Sequence, residues 1–92
     1  MGFAAAANLG DTYGVFEPTH GSAPKYAGKG IVNPIAMILA SKMMLDWLGE
    51  KETAIRIESA GAEVVKEGKV RTKDLGGEAS TMEMAKAVAA KL

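Results

Sequence analysis

Residues 20–28 read His20-Gly21-Ser22-Ala23-Pro24-Lys25-Tyr26-Ala27-Gly28, and Asn33-Pro34 follows shortly after. This stretch contains the single histidine of the chain and, with Pro34, two of its three prolines. An apolar run at residues 13–16 precedes it, and a strongly apolar segment at residues 35–48 follows it. Short polar and conformationally free residues between a strand and a helix are typical of a loop that contacts a ligand.

Length and composition limit what surrounds this loop. The 92 residues are enough for one small domain, and although 48% are apolar, many of these are alanine, which buries little area. The net charge is zero, so nothing indicates binding to nucleic acid or to an anionic membrane. No segment reaches the roughly 20 apolar residues of a membrane span. The absence of cysteine excludes disulfide and thiolate chemistry and favours a cytoplasmic location.

Two short segments precede the loop. Residues 1–11 are compatible with an extended piece that ends in an Asn/Gly/Asp turn, while their run of alanines also suits a helix. Residues 13–17 predict a strand, in which Gly14 indicates a bulge or a close backbone approach. Residues 17–30 are predicted as loop, and a connection longer than about 12 residues is usually functional.

A buried helix is predicted directly after the loop. Asn33 is a preferred helix N-cap, and a proline at the next position is compatible with the first helical turn. The helix over residues 35–48 is apolar nearly all round, which requires cover from a larger body than this chain provides. Gly49 ends this helix.

Two more helices are predicted toward the C-terminus. The second covers residues 50–67 and ends at Gly68; its apolar face comprises Ile57, Ala60, Gly61, Val64 and Val65. Residues 69–75 predict a short strand or extended segment before the Gly76-Gly77 turn. Residues 80–83 have the spacing of a capping box. The helix after them places Met84, Val88 and Leu92 on one face.

General motifs for catalysis are missing from the sequence. One histidine and scattered acids form no metal-ligand set, and no Ser/His/Asp or Cys/His arrangement can be assembled. Neither GxGxxG nor GxxxxGKS/T is present. Three methionines in the apolar helix, Met37, Met43 and Met44, are interpreted as core residues.

The loop itself resembles the cofactor loop of the β-decarboxylating dehydrogenases, which include the isocitrate, 3-isopropylmalate and homoisocitrate dehydrogenases. The resemblance is carried by Phe16-Glu17-Pro18-Thr19-His20-Gly21-Ser22-Ala23-Pro24-Lys25-Tyr26-Ala27-Gly28 and Val32-Asn33-Pro34. Residues 7–11, 37–49 and 72–77 also resemble family segments. The resemblance implies an α/β fold: a mostly helical fragment of the family fold with about two short strands. Residues 1–92 would form a single C-terminal segment of the large cofactor-binding domain.

The resemblance also implies roles for individual residues. In the family this loop holds the adenosine half of NAD or NADP. The implied cofactor-binding residues are His20 against the adenine; Gly21, Ser22, Ala23, Pro24, Lys25 and Tyr26 around the ribose and phosphate; Asn33 at the adenine edge; and Asp74 closing the adenosine site. Glu17 would lie on the approach to the nicotinamide end.

Lys25 favours NADP within this resemblance. NAD-dependent members commonly carry an acid at this place, whereas an ammonium cannot accept ribose hydrogen bonds and suits a phosphate. Bacterial NADP enzymes often have Tyr and Arg where this sequence has Lys73 and Gly77, which is closer to the NAD type. NADP is therefore the favoured cofactor, with NAD as the alternative.

Other parts of the family chemistry are expected outside this chain. The arginines that bind substrate carboxylates, the aspartates that hold Mg2+ or Mn2+, and the proton-transferring Tyr and Lys lie N-terminal to this stretch in the family. We therefore assign no catalytic or metal residue here. The intact enzyme, expected to be a homodimer, would oxidatively decarboxylate isocitrate in the tricarboxylic acid cycle, and this chain alone would be inactive. The alternatives are a 3-isopropylmalate or homoisocitrate dehydrogenase, a non-catalytic nucleotide-binding subunit, or a purely structural piece.

Overall fold

The computed structural model describes residues 3–21 and 24–92, in which two strands precede three α-helices. The strands are β1 (Ala5–Leu9) and β2 (Gly14–Pro18), and the helices are α1 (Ile35–Trp47), α2 (Lys51–Glu67) and α3 (Thr81–Ala90). Short 3-10 helices occupy Pro24–Tyr26 and Lys73–Leu75. This architecture confirms the prediction of a mostly helical α/β fragment with two short strands.

Strands β1 and β2 form an antiparallel hairpin. Leu9 pairs with Gly14, and the Gly10 amide donates to the Tyr13 carbonyl at 2.7 Å. Of the two interpretations of the alanine run, the extended one is therefore correct, because pairing with β2 overrides the helix propensity of alanine. The predicted bulge or close backbone approach at Gly14 is wrong: the register is uninterrupted, and the nearest atoms to an added Cβ belong to side chains, Phe16 at 3.1 Å and Leu9 at 3.2 Å.

The start of α1 lies one residue later than predicted. The N-cap is Pro34 rather than Asn33, and the Asn33 side-chain oxygen, just before it, accepts a hydrogen bond of 3.0 Å from the Ile35 amide. At the other end, Gly49 adopts φ 91° and the Glu50 amide donates to the Leu45 carbonyl at 2.8 Å. This pair of features satisfies carbonyls that the helix end would leave unpaired.

The segment between α2 and α3 corrects one prediction. No strand forms over residues 69–75; irregular backbone leads into the 3-10 helix instead. The Thr72 carbonyl accepts the amides of Leu75 at 2.9 Å and Gly77 at 3.1 Å. These turn hydrogen bonds use backbone groups that strand pairing would need. The long loop at residues 17–30 likewise differs from the prediction, because β2 continues to Pro18 and a 3-10 helix follows.

The predicted capping box at the start of α3 is confirmed. The Glu83 amide donates to the Ser80 hydroxyl, and the Ser80 amide donates to the Glu83 carboxylate, each at 3.0 Å. The apolar face of α3 is confirmed in part. Met84 and Val88 are buried, whereas Leu92 lies beyond the helix and is exposed.

A small core lies where the three helices meet. Its buried members are Ile35, Ala60, Val64, Met84 and Val88. The molecule measures 41 × 29 × 16 Å, and a body this thin cannot enclose a helix on all sides. Accordingly α1 leaves apolar side chains in solvent, with Met37 55% and Leu48 59% exposed. None of the helices in residues 3–21 and 24–92 is long and apolar enough to cross a membrane.

Candidate functional site

The candidate site begins where β2 ends. His20 and Gly21 are both exposed, and the His20 Nδ1–H donates to the Gly21 carbonyl at 2.8 Å. With the proton on Nδ1, a neutral ring keeps Nε2 as an acceptor and leaves its face open. Ser22 and Ala23, which the sequence places in the same site, lie outside the described residues.

The next three residues, Pro24–Tyr26, form the first 3-10 helix. Lys25 is exposed, and its ammonium lies 5.6 Å from the centroid of the Tyr26 ring, within the range of a cation–π contact. The Ala27 amide donates to the Pro24 carbonyl at 3.2 Å and keeps the turn closed. The turn thus holds a positive charge in solvent beside a half-buried aromatic ring, where an anion could reach it.

A second group of predicted residues meets at the start of α1. The Asn33 side-chain nitrogen donates to Asp74 Oδ2 at 3.2 Å, across 41 positions of the chain. Asn33 is 7% exposed, whereas Asp74 is exposed. Asn33 therefore makes two contacts: its oxygen accepts from the Ile35 amide and its nitrogen donates to the Asp74 carboxylate. The structure brings together these two residues, which the sequence assigned separately to the adenosine site.

Thr72 completes this group. Its hydroxyl donates to Asp74 Oδ1 at 2.5 Å, and the Thr72 side chain is fully buried. Each oxygen of the Asp74 carboxylate thus accepts one hydrogen bond from a buried side chain. We refer to Asn33, Thr72 and Asp74 as the Asn–Thr–Asp cluster. Sequence reasoning gave Thr72 no role, although its place two residues before Asp74 permits a local side-chain hydrogen bond.

Thr81 attaches α3 to the end of the loop. Its amide donates to the Gly30 carbonyl at 2.7 Å, and its hydroxyl donates to the Val32 carbonyl at 2.5 Å. Sequence reasoning also missed this role, since the capping box identified Thr81 only as the first residue of a helix. The segment that enters α1 is therefore held from two directions, by α3 and by the Asn–Thr–Asp cluster.

The two groups of site residues remain separate in the part of the chain described. No hydrogen bond among residues 3–21 and 24–92 joins His20 or Lys25 to Asn33 or Asp74. The roles of all these residues toward a cofactor stay predictions. Their chemistry nevertheless fits a nucleotide, since it offers an imidazole face, a cation for a phosphate, and an amide–carboxylate pair for a polar base edge.

A metal site needs several His, Cys, Asp or Glu side chains close together. Within the described ranges, no group of three or more His, Cys, Asp or Glu side chains is arranged to hold a metal ion. The residues present therefore fit a dinucleotide but do not by themselves provide a divalent-cation site.

Comparison with known proteins identifies the family. Residues 1–88 match the isocitrate/isopropylmalate dehydrogenase family. The chain is 57% identical over 88 residues to an isocitrate/homoisocitrate dehydrogenase of Thermus thermophilus, which covers 96% of this chain and 26% of the relative. It is 53% identical over 89 residues to a 3-isopropylmalate/3-methylmalate dehydrogenase of Methanocaldococcus jannaschii, covering 97% and 26%.

Comparison of the fold with solved structures indicates the same family. The crystal structure of an isocitrate dehydrogenase from Methylococcus capsulatus superposes with a TM-score of 0.91 at 46% identity, covering 95% of this chain and 26% of that one. This chain belongs to the isocitrate/isopropylmalate dehydrogenase family, as its loop sequence predicted. It spans about a quarter of the length of these relatives.

Proposed function

We propose that this chain is the cofactor-binding C-terminal segment of an NAD(P)-dependent isocitrate dehydrogenase. The observation that carries the proposal is the Asn–Thr–Asp cluster at the start of α1, in a chain 57% identical to an isocitrate/homoisocitrate dehydrogenase. The segment belongs to the large cofactor-binding domain of a cytoplasmic enzyme. The intact enzyme converts isocitrate to 2-oxoglutarate, with NAD(P)+ as the acceptor of the substrate hydride.

The residues of this chain bind and orient the dinucleotide. His20 lies against the adenine, and the loop from Gly21 to Tyr26 surrounds the ribose and its phosphates. Asn33 and Asp74 contact the polar edge of the base. This division of roles is supported by the exposure of His20 and Lys25 and by the hydrogen bonds that fix the Asp74 carboxylate.

Lys25 selects NADP in this proposal. Its ammonium is exposed and lies over the Tyr26 ring, so it can reach a 2′-phosphate without leaving its turn. We expect Lys25→Asp in the full-length enzyme to invert the preference from NADP to NAD, because the carboxylate repels the phosphate and accepts from ribose hydroxyls. Lys29→Asp, an exposed lysine after the same turn, is the matched control. An unchanged NADP/NAD ratio in Lys25→Asp would refute this role.

The remaining chemistry is assigned to other parts of the enzyme. The ligands of Mg2+ or Mn2+ and the groups that transfer protons lie in the remainder of the chain, which also covers the exposed apolar side of α1. The intact enzyme is a homodimer. The 92-residue chain should therefore bind the nucleotide weakly or not at all by itself, and should not turn over isocitrate with Mn2+ and NADP.

The full-length enzyme provides the decisive test. Isothermal titration with NADP and NAD measures cofactor binding, and initial rates with isocitrate, homoisocitrate and 3-isopropylmalate identify the substrate. We expect saturable binding of NADP and the highest kcat/KM with isocitrate. Absence of dinucleotide binding would reject the proposal, and turnover by the isolated 92-residue chain would reject its assignment of the catalytic groups.

A second candidate is the same segment of a 3-isopropylmalate or homoisocitrate dehydrogenase. The relatives support it, since identity to the 3-isopropylmalate/3-methylmalate dehydrogenase of Methanocaldococcus jannaschii is 53% against 57% for the isocitrate/homoisocitrate dehydrogenase. The substrate rates just described distinguish these candidates. The cofactor-binding role of the segment is the same in each.

A further inference from the structure

We propose that Thr72 is a positioning residue: its buried hydroxyl fixes the Asp74 carboxylate so that Asp74 accepts a hydrogen bond from the 6-amino group of the cofactor adenine. The inference rests on the proposed function and adds to it a residue that does not touch the cofactor. It is carried by the hydrogen bonds of the Asn–Thr–Asp cluster and by the unequal burial of its members.

The members of the Asn–Thr–Asp cluster differ in burial. Asp74 is exposed, so water could satisfy its carboxylate without any protein donor. Instead, two side chains with almost no solvent access, Thr72 at 0% and Asn33 at 7% exposure, donate to its two oxygens. Both donors lie on the protein side of the carboxylate. The arrangement removes the rotational freedom of an exposed aspartate and leaves its outer side to a ligand.

The two side chains that donate to Asp74 are each held in one orientation. The Ile35 amide can only donate, so the Asn33 oxygen must face it, at 3.0 Å, and the Asn33 nitrogen must face Asp74. The Asn33 side-chain amide is therefore held by the first residue of α1. Thr72 is fixed by its own backbone, whose carbonyl accepts the amides of Leu75 and Gly77. The carboxylate lies between two rigid donors.

The Asp74 carboxylate can still accept hydrogen bonds from a ligand. A carboxylate oxygen has about two acceptor positions, so each Asp74 oxygen retains capacity after binding Thr72 or Asn33. The complementary group on a nucleotide base is an exocyclic amine. Adenine carries such an amine at position 6, whereas hypoxanthine carries an acceptor carbonyl there. A fixed Asp74 should therefore favour adenine, and a freely rotating one should discriminate less.

The experiment uses three variants of the full-length enzyme. Thr72→Val keeps the side-chain shape and removes the hydroxyl, Thr72→Ser keeps the hydroxyl, and Thr53→Val changes an exposed threonine of α2 as the matched control. Titration calorimetry gives Kd for NADP and for its hypoxanthine analogue, and thermal unfolding is measured on the same samples. Wild type should bind the adenine cofactor more tightly.

We expect Thr72→Val to raise Kd for NADP about tenfold, the loss typical of one hydrogen bond to a charged group. Its adenine/hypoxanthine affinity ratio should fall toward one. Thr72→Ser and Thr53→Val should keep the wild-type Kd and ratio. A lower melting temperature in Thr72→Val with Kd and ratio unchanged would show a purely structural role and overturn the inference.

Two further outcomes complete the test. If wild type binds neither dinucleotide, the proposed function fails and this inference with it; if wild type binds and the Thr72 variants do not differ, only the inference fails. Should Thr72→Val not fold, Asp74→Asn gives an independent answer, because Asp74 is exposed and asparagine has nearly the same shape. Asp74→Asn must lower the adenine/hypoxanthine ratio, and an unchanged ratio would overturn the inference.

Discussion

The hydroxyl of Thr81 donates a hydrogen bond of 2.5 Å to the carbonyl of Val32, although 49 positions separate the two residues. The same threonine donates its amide to the Gly30 carbonyl at 2.7 Å. The first residue of α3 thus holds the backbone between the loop at residues 20–28 and α1. The carbonyls of this segment cannot change direction without breaking a contact with α3.

Replacing Thr81 by valine should therefore affect both stability and binding. Thr81→Val removes the hydroxyl bond to Val32 and should lower the free energy of unfolding by about 1 kcal/mol. In the full-length enzyme it should also raise Kd for NADP, because the segment that carries Asn33 becomes less restrained. Thr81→Ser retains the donor and is the control. Urea unfolding and calorimetric titration give the two values, and equal results for both variants would contradict this role.

Acidification should weaken the capping box of α3. The pKa of Glu83 is lowered by the hydrogen bond from the Ser80 amide first and the Ser80 side chain second. A lowered pKa in the folded state means that this stabilisation is complete above the ordinary glutamate value of about 4.3 and is lost as pH falls through the folded value. Glu83→Gln, which cannot ionise, should lack this component of the pH dependence.

The measurement is the free energy of unfolding from pH 7 down to the acid limit of folding. The pKa of Glu67 is also lowered, chiefly by the Lys91 hydrogen bond, so wild type has more than one acid-sensitive group and the comparison between variants is what counts. Glu78→Gln, an exposed glutamate before α3, should follow the wild-type curve. Parallel curves for wild type and Glu83→Gln would exclude the ionised capping box.

Two methionines of α3 should respond oppositely to truncation. Met84 is fully buried in the core, whereas Met82 is 62% exposed. Met84→Ala should cost roughly 2–5 kcal/mol because it removes apolar contacts and leaves a cavity. Met82→Ala should change stability by less than about 0.5 kcal/mol. Thermal and urea unfolding compare them, and a similar loss in both would place the core elsewhere.

Two glycines, one within α2 and one at its C-terminal end, should respond oppositely to replacement by alanine. Gly68 ends the helix at φ 68°, and an added Cβ would clash with the Arg71 guanidinium, so Gly68→Ala should destabilise by roughly 1–2 kcal/mol. Gly61 lies within the helix with nothing within 4 Å of an added Cβ. Gly61→Ala should therefore stabilise by roughly 0.5–1 kcal/mol. Melting temperatures should move in opposite directions, and a fall in both would contradict the free space at Gly61.

Local features of the fold could be predicted because each depends on a few neighbouring residues. The Ser80–Glu83 spacing specified a capping box, and Asn33 before Pro34 specified a helix start. The alanine run before Asn8 left two interpretations open, since alanine suits a helix and only pairing with β2 favours a strand. The false strand over residues 69–75 has a similar cause: its loose alternation gave no signal of the turn around the Thr72 carbonyl.

The candidate site could be predicted only through the family loop. The resemblance indicated Asn33 and Asp74 individually, but nothing in the sequence indicated that they bond to each other. Contacts between residues 41 positions apart depend on how α1 and α2 pack, which periodicity does not determine. Thr72 and Thr81 were missed for the same reason, because their partners are determined by tertiary structure.

The bond between Asn33 and Asp74 also has a consequence for how the protein folds. Closing a loop of 41 residues costs chain entropy that no local contact repays, so this bond forms only after the helices between the two residues have packed. During synthesis the loop at residues 20–28 leaves the ribosome well before Thr72, Asp74 and Thr81 do. A nascent chain therefore carries the loop sequence without its hydrogen-bonding partners, and these contacts form only after residues 72–81 have been synthesised.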